Sequence, residues 1–253
     1  MSEFKKYNTE EFEKYITSLN VSRGIKLIQL HHTYIPGYKQ FTGNNHIQLQ
    51  AGMRNYHINT NGWSDIAQHF TIFPDGAIVT GRSMEMIPAG IKGANAGAIC
   101  IECIGNFDIG GDVMRKEQKD AIVSAIKILI DKFSLQSENA VIYHGWWTAS
   151  GKKLGDYVKG KSAKTCPGTN FFGGNTRKAF EENLLPLIIG CGKKTKKMLE
   201  TANDITWELN HTYFPIDDVD RFKKMLDEAK KNNSPLYWGY YKLVNRINVY
   251  KQI

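Results

Sequence analysis

No stretch of this chain has the length and apolarity of a membrane helix; the best run, 184–189, is short and broken by Pro186. The start, Met1-Ser2-Glu3-Phe4-Lys5-Lys6, lacks the apolar segment of a secretory leader, so the expectation is a protein made and held in a cytoplasm until something releases it. Only four cysteines occur in 253 residues, too few for a disulfide scaffold, and they fit a reducing compartment. Recognisable nucleic-acid motifs are also missing, although the formal charge is +8 and the positive residues are scattered.

What is present is enough apolar material, 42% of residues, for a proper core in one sizeable domain or a medium domain plus a small one. Thr9 is placed to cap a helix running to about Ser18, and Lys26 to Leu30 is an apolar run closed by His31. His46 to His57 reads as a helix. Gln68 to Phe73 and Ala77 to Gly81 flank Pro74-Asp75-Gly76, whose turn chemistry signals a hairpin. Ala98 to Ile104 reads as a buried strand. Apolar residues at Ile122, Ala125, Ile126, Leu129 and Phe133 make 115–133 a helix that covers a sheet. A strand over 140–144 follows, and Asn175 is placed to cap a helix to about Leu185. Mixed strands with covering helices predict an α/β or α+β layered architecture.

Three residues at strand ends or in loops carry metal-ligand chemistry: His31, His144 and Cys166. Imidazole and thiolate suit zinc, and three protein ligands leave a fourth position open. Separations of 113 and 22 residues form no local ligand pattern, so residue types alone favour two hydrogen-bonded histidines and a buried thiol over a metal site. His31 and His32 are neighbours on a strand and face opposite ways, so only one can enter a site there. Cys100 and Cys103 also face opposite sides and cannot chelate one ion; both read as small core residues. Glu102 stands out in Ala98-Ile99-Cys100-Ile101-Glu102-Cys103-Ile104, because a carboxylate there is costly to bury unless paired, hydrogen-bonded or near a metal.

Several segments in order resemble one family: Ile28-Gln29-Leu30-His31-His32-Thr33, Gly62-Trp63-Ser64-Asp65-Ile66-Ala67-Gln68-His69-Phe70, Phe73-Pro74-Asp75-Gly76, Ala98-Ile99-Cys100-Ile101-Glu102 and Cys166-Pro167-Gly168. The family is that of the zinc-dependent N-acetylmuramoyl-L-alanine amidases, related to the peptidoglycan recognition proteins. The likeness spans roughly 22–185, and the whole chain looks most like an endolysin of a phage or prophage of clostridia-like bacteria. The resemblance implies a mixed central sheet with helices on its faces and a Zn2+ ion in a surface groove, held by His31, His144 and Cys166, with His32 beside or behind it. It implies Glu102 as the base that activates water. Some relatives use a tyrosine in the Gly-Trp motif, but that slot here is Gln68, which leaves the task to Glu102. Lys164 matches a position that steadies the oxyanion. His46, His57, His69 and His211 are read as structural or surface residues, while Trp146 and Trp147 could line a sugar groove or pack in the core.

Beyond about Leu185 the character changes. The expected organisation is a catalytic domain over 1–188, a lysine-rich linker over 189–197, and a small helical C-terminal domain over 198–253 that binds cell wall. Residues 193–253 hold twelve Lys or Arg against eight Asp or Glu, half of the chain's excess charge. Helices are expected after Asp217 and after Ser234-Pro235, in a segment dense in aromatics. Peptidoglycan and wall polyanions are the expected partners of a cationic hydrolase, with no nucleic acid and no stable membrane insertion; oligomers through the C-terminal domain are allowed. The rival from another class is a non-catalytic peptidoglycan-binding module, as in relatives that lack the cysteine ligand, and Cys166 argues against it.

Overall fold

The computed structural model describes residues 4–189. The helices expected after Asp217 and Ser234, the linker beyond 189 and His211 lie outside them. Six strands form one mixed sheet: β1 (Lys6–Tyr7), β2 (Leu27–His32), β3 (Phe70–Ile72), β4 (Ile78–Thr80), β5 (Ala98–Cys103) and β6 (Val141–Tyr143), in the order β1-β4-β3-β5-β2-β6. β3, β5, β2 and β6 run parallel to one another, while β4 is antiparallel to β3 and β1. The expected mixed sheet with helices is the architecture observed.

Helix α1 (Thr9–Ser18) is capped by Asn8, not by Thr9 as expected: Asn8 Oδ1 accepts from Glu11 N, and Glu11 Oε2 accepts from Asn8 N, both at 2.9 Å. Helix α2 (His46–Asn59) precedes the hairpin of β3 and β4. In that hairpin Gly76 has φ +83°, which only glycine adopts without strain, and its N–H bonds Phe73 O at 2.9 Å. Helix α3 (Lys116–Phe133) buries Ile122, Ala125, Ile126 and Leu129 of the stripe visible in the sequence, with Ala121 added, while Phe133 is half-buried.

Parallel strands buried on both faces read as continuous apolar runs, and alternation then sorts their side chains. Ile28 and Leu30 of β2, with Ile99, Ile101 and Cys103 of β5, join the core formed with Phe12 and Ile16 of α1 and Ile122, Ile126 and Leu129 of α3. Each fully buried side chain of this size contributes roughly 1.5–3 kcal/mol. Gln118 ties α3 to the sheet: its Nε2 donates to Ile72 O and Ile104 O at 2.9 Å each, and its Oε1 accepts from the Tyr38 hydroxyl. One further expectation is corrected. Asn175 is no helix cap; Thr176 is, accepting from Ala179 N, while Asn175 is buried and donates to Thr165 O at 2.7 Å. Of the two readings open for Trp146 and Trp147, core packing is the one observed: both are buried, and the Trp146 indole donates to Asn175 O at 2.8 Å.

Candidate metal centre

The opposite face of β2 and β5 carries the polar side chains. Register pairs Gln29 with Cys100 and His31 with Glu102, so alternation puts all four on one face, near the C-terminal ends of the parallel strands. β6 lies on the other side of β2, pairing Leu30 with Tyr143, and a tight turn over His144–Trp146 begins where it ends. His31 and His144 therefore arrive side by side. Crevices beyond the C-terminal ends of parallel strands are where open α/β sheets place their sites.

Cys166 comes from a loop that is held at several points. Its carbonyl accepts from Gly145 N at 2.7 Å. Asp108, in the loop after β5, accepts from Thr165 Oγ1 at 3.0 Å and Thr169 N at 2.9 Å, so one carboxylate grips the loop on both sides of the cysteine. The result is a compact donor set. His144 Nδ1 is 3.2 Å and Cys166 Sγ is 3.5 Å from His31 Nδ1, and the three donor atoms all lie within 4.8 Å of one another. A single metal ion could be held by them. Among the described residues this is the one such group of His, Cys, Asp and Glu side chains.

Burial sets the charge of each donor in the metal-free protein. It pushes His31 well below the ordinary histidine range, with His144, Lys164 and His32 adding repulsion. His144 is lowered to about 4, again mainly by burial. Both are neutral imidazoles at pH 7 and so have lone pairs to offer. The Cys166 thiol is pushed well above its ordinary value by burial.

The two adjacent histidines lie in different surroundings. His32 points to the other face, where its Nδ1 accepts from Phe107 N at 3.1 Å. Glu102 stands beside the donors, its Oε1 3.9 Å from His31 Nδ1, with the side chain 16% exposed. Its Oε2 is enclosed and has no hydrogen-bond partner. Burial raises this carboxyl to about 8, against a lowering pull from Lys164. Lys164 itself is exposed at the rim, where its charge acts on His31, His144, Glu102 and Cys166.

The remaining candidates are structural in the described region. His46 Nε2 pairs with Asp75 at 2.8 Å, His57 accepts from Ala67 N at 3.1 Å, and buried His69 accepts from Cys100 N at 3.0 Å. Gln68 donates to Thr71 Oγ1 at 2.9 Å. Cys100 and Cys103 are free and buried on opposite faces of β5. Asp108, Gln29 and Gly90 were not singled out from the sequence. For Gln29 a signal existed: a carboxamide inside an apolar strand, two residues before a histidine, shares that histidine's face.

A family model described as N-acetylmuramoyl-L-alanine amidase matches residues 21–169. The human N-acetylmuramoyl-L-alanine amidase is 30% identical over 89 residues, 32% of this chain and 16% of that protein. The endolysin of Klebsiella phage KP32 is 27% identical over 81 residues, 32% of this chain and 53% of that one. The chain thus matches about half the length of one of these relatives and far less of the other. Among solved structures, the endolysin amidase LysCS of Clostridium intestinale is 23% identical, covering 63% of this chain and 84% of that one with a TM-score of 0.44.

Proposed function

This chain belongs to the N-acetylmuramoyl-L-alanine amidase family, and from that premise we propose that it is a zinc-dependent peptidoglycan hydrolase of the endolysin kind. The bond cut joins the lactyl group of N-acetylmuramic acid to L-alanine. The observation that carries this reading is the convergence of His31, His144 and Cys166 with a glutamate beside them whose Oε2 has no hydrogen-bond partner.

The donor set suits zinc. With arms of about 2.0–2.1 Å to nitrogen and about 2.3 Å to sulfur, a tetrahedral ion holds two nitrogens about 3.3 Å apart and a nitrogen and sulfur about 3.6 Å apart. The two spacings at His31 Nδ1 are 3.2 and 3.5 Å, and the His144 and Cys166 donors, within 4.8 Å of each other, would draw together on the ion. One neutral thiol and two neutral imidazoles become two neutral ligands and a thiolate, losing a single proton. Zinc bound there would supply Lewis-acid activation of water and of the scissile carbonyl at neutral pH.

The chain's own residues supply the rest. Glu102 Oε2, enclosed and without a partner, is the acceptor for the proton of the attacking water and returns it to the leaving amine. A carboxyl raised to about 8 by burial is brought back towards its ionised form by any cation placed beside it. Lys164 lowers that carboxyl's pKa too, and from the rim its charge compensates the oxyanion that develops at the carbonyl. Lys164→Ala should therefore keep the metal and lose activity by about 10²-fold to 10³-fold, the value of one oxyanion contact; wall-lysis rates and metal content of the two proteins check this.

Residues 198–253 are proposed as a separable wall-targeting module, with peptidoglycan and wall polyanions as partners of a cationic enzyme. Truncation after Gly192 should leave an enzyme that cleaves soluble muropeptides but acts poorly on intact cells, because tethering raises local concentration at the wall. A fluorescent fusion of 193–253 reports binding to walls directly. Failure of that fusion to bind, together with unfolding of the truncated enzyme, would make the tail part of the catalytic fold. The reaction itself is tested by mass spectrometry of digested walls: stem peptides with free L-alanine amino termini, parted from uncut glycan strands that keep the lactyl carboxylate, are expected, while new reducing ends or cut cross-links would assign the chain to another hydrolase class. Binding without any cleavage would make it a recognition module.

A further inference from the structure

Gln29 is fully buried on the metal-site face of β2, and no part of the proposed reaction uses it. Its amide is locked. Nε2 donates to Ala94 O at 2.9 Å and faces Asn95 Oδ1 at 3.3 Å, and that Asn95 oxygen is itself fixed by Gly90 N at 3.0 Å and Ile91 N at 2.8 Å. Turning the amide over would set Gln29 oxygen against two acceptors, so Oε1 has one available direction. It faces His31 Nε2 at 3.3 Å. An amide oxygen only accepts, hence His31 carries its proton on Nε2, and Nδ1, the atom beside His144 and Cys166, presents its lone pair.

Gly90 closes the arrangement from above. A Cβ at this position would lie 2.0 Å from Gln29 Oε1 and 3.1 Å from His31 Nε2, so the pocket that seats the amide exists only because residue 90 has no side chain. The loop 90–95 thus contributes a lid through Gly90 and the backbone and side-chain acceptors of Ala94 and Asn95.

We infer that Gln29, clamped by the 90–95 loop, is the positioning residue that fixes the tautomer and ring orientation of His31 for metal binding. The inference rests on His31 being a metal ligand, as proposed above. Partners that orient a ligating imidazole through its other nitrogen typically carry 10-fold to 100-fold in metal affinity. The reason is that a free imidazole divides between two tautomers and several ring positions, while a held one meets the ion in a single state.

Two variants separate this from plain packing. Gln29→Met keeps length and volume and removes the acceptor; Gly90→Ala leaves Gln29 chemically intact and displaces its oxygen. Zinc affinity is read by competition with a chromophoric chelator, and the His31 tautomer by long-range 1H–15N correlation in metal-free protein labelled at histidine. The parent should show His31 as the Nε2–H form. Both variants should bind zinc about 10-fold to 100-fold more weakly, with a mixed His31 tautomer and unchanged His144 signals. If Gln29→Met does not fold, Gly90→Ala carries the test. An Nδ1–H proton on His31 in the parent, or zinc affinity in the folded variants within twofold of the parent, overturns the inference. A loss of thermal stability with the tautomer unmoved overturns it as well, since that is what packing alone produces. A parent that binds no zinc through His31, His144 and Cys166 fails the metal reading itself, a result distinct from normal zinc binding that ignores Gln29.

Discussion

Cys166→Ser should yield a folded protein that takes up no zinc and lyses no walls. The substitution replaces the softest donor by a hydroxyl that does not ionise near neutral pH and whose shorter bonds would need a different reach. Folding should survive, because what fixes this loop is backbone and neighbours: the Cys166 carbonyl on Gly145 N, and the Asp108 carboxylate on Thr165 and Thr169. Emission spectrometry should find about one zinc per parent chain and close to none in the variant, with turbidity loss of wall suspensions abolished in parallel. Full lysis by a demonstrably metal-free preparation would falsify the centre.

Glu102→Gln should separate the metal from the chemistry. The amide keeps the shape of the acid, so zinc stays bound, while turnover falls by roughly 10²-fold or more for want of a proton acceptor. The same variant has a second signature without metal. The folded carboxyl titrates near 8 against an ordinary 4.5, so the folded state keeps a proton that the unfolded chain releases. Stability of the metal-free parent is therefore fully present below about pH 4.5 as far as this group is concerned, and declines as pH rises towards 8. Glu102→Gln should flatten that decline in a denaturant series. If the variant lyses walls as fast as the parent, the proton acceptor lies elsewhere on the sheet.

How much of this was legible beforehand depends on whether the signal was local. Helices α1 and α3 and the hairpin at Gly76 were readable, because periodicity and turn chemistry are written within a few residues. The cap was misplaced from Asn8 to Thr9, and from Thr176 to Asn175, since adjacent residues of capping type compete and geometry decides between them. Glu102 was legible as an expensive residue in an apolar strand. His31 against His32 was not decidable from alternation alone, which says that they differ in direction without saying which way the site lies; in the structure His31 lies beside His144 and Cys166, and His32 accepts from Phe107 N. Trp146 and Trp147 could not be assigned to core or groove without knowing what packs on the turn after β6. Asp108 and Gly90 were invisible because their partners are remote, Thr165 and Thr169 for one and Gln29 for the other.

The parallel pairing of β2 with β5 and β6 has a temporal side. His31 is registered against Glu102, and Leu30 against Tyr143, through contacts that local folding cannot make. Contacts so distant form slowly, after long loops have closed. A chain still leaving the ribosome has no working fraction of this site until Cys166 has emerged and Asp108 has gripped its loop. Recovery of lytic activity after dilution from denaturant should accordingly lag behind recovery of helix, and no fragment ending before residue 166 should show any.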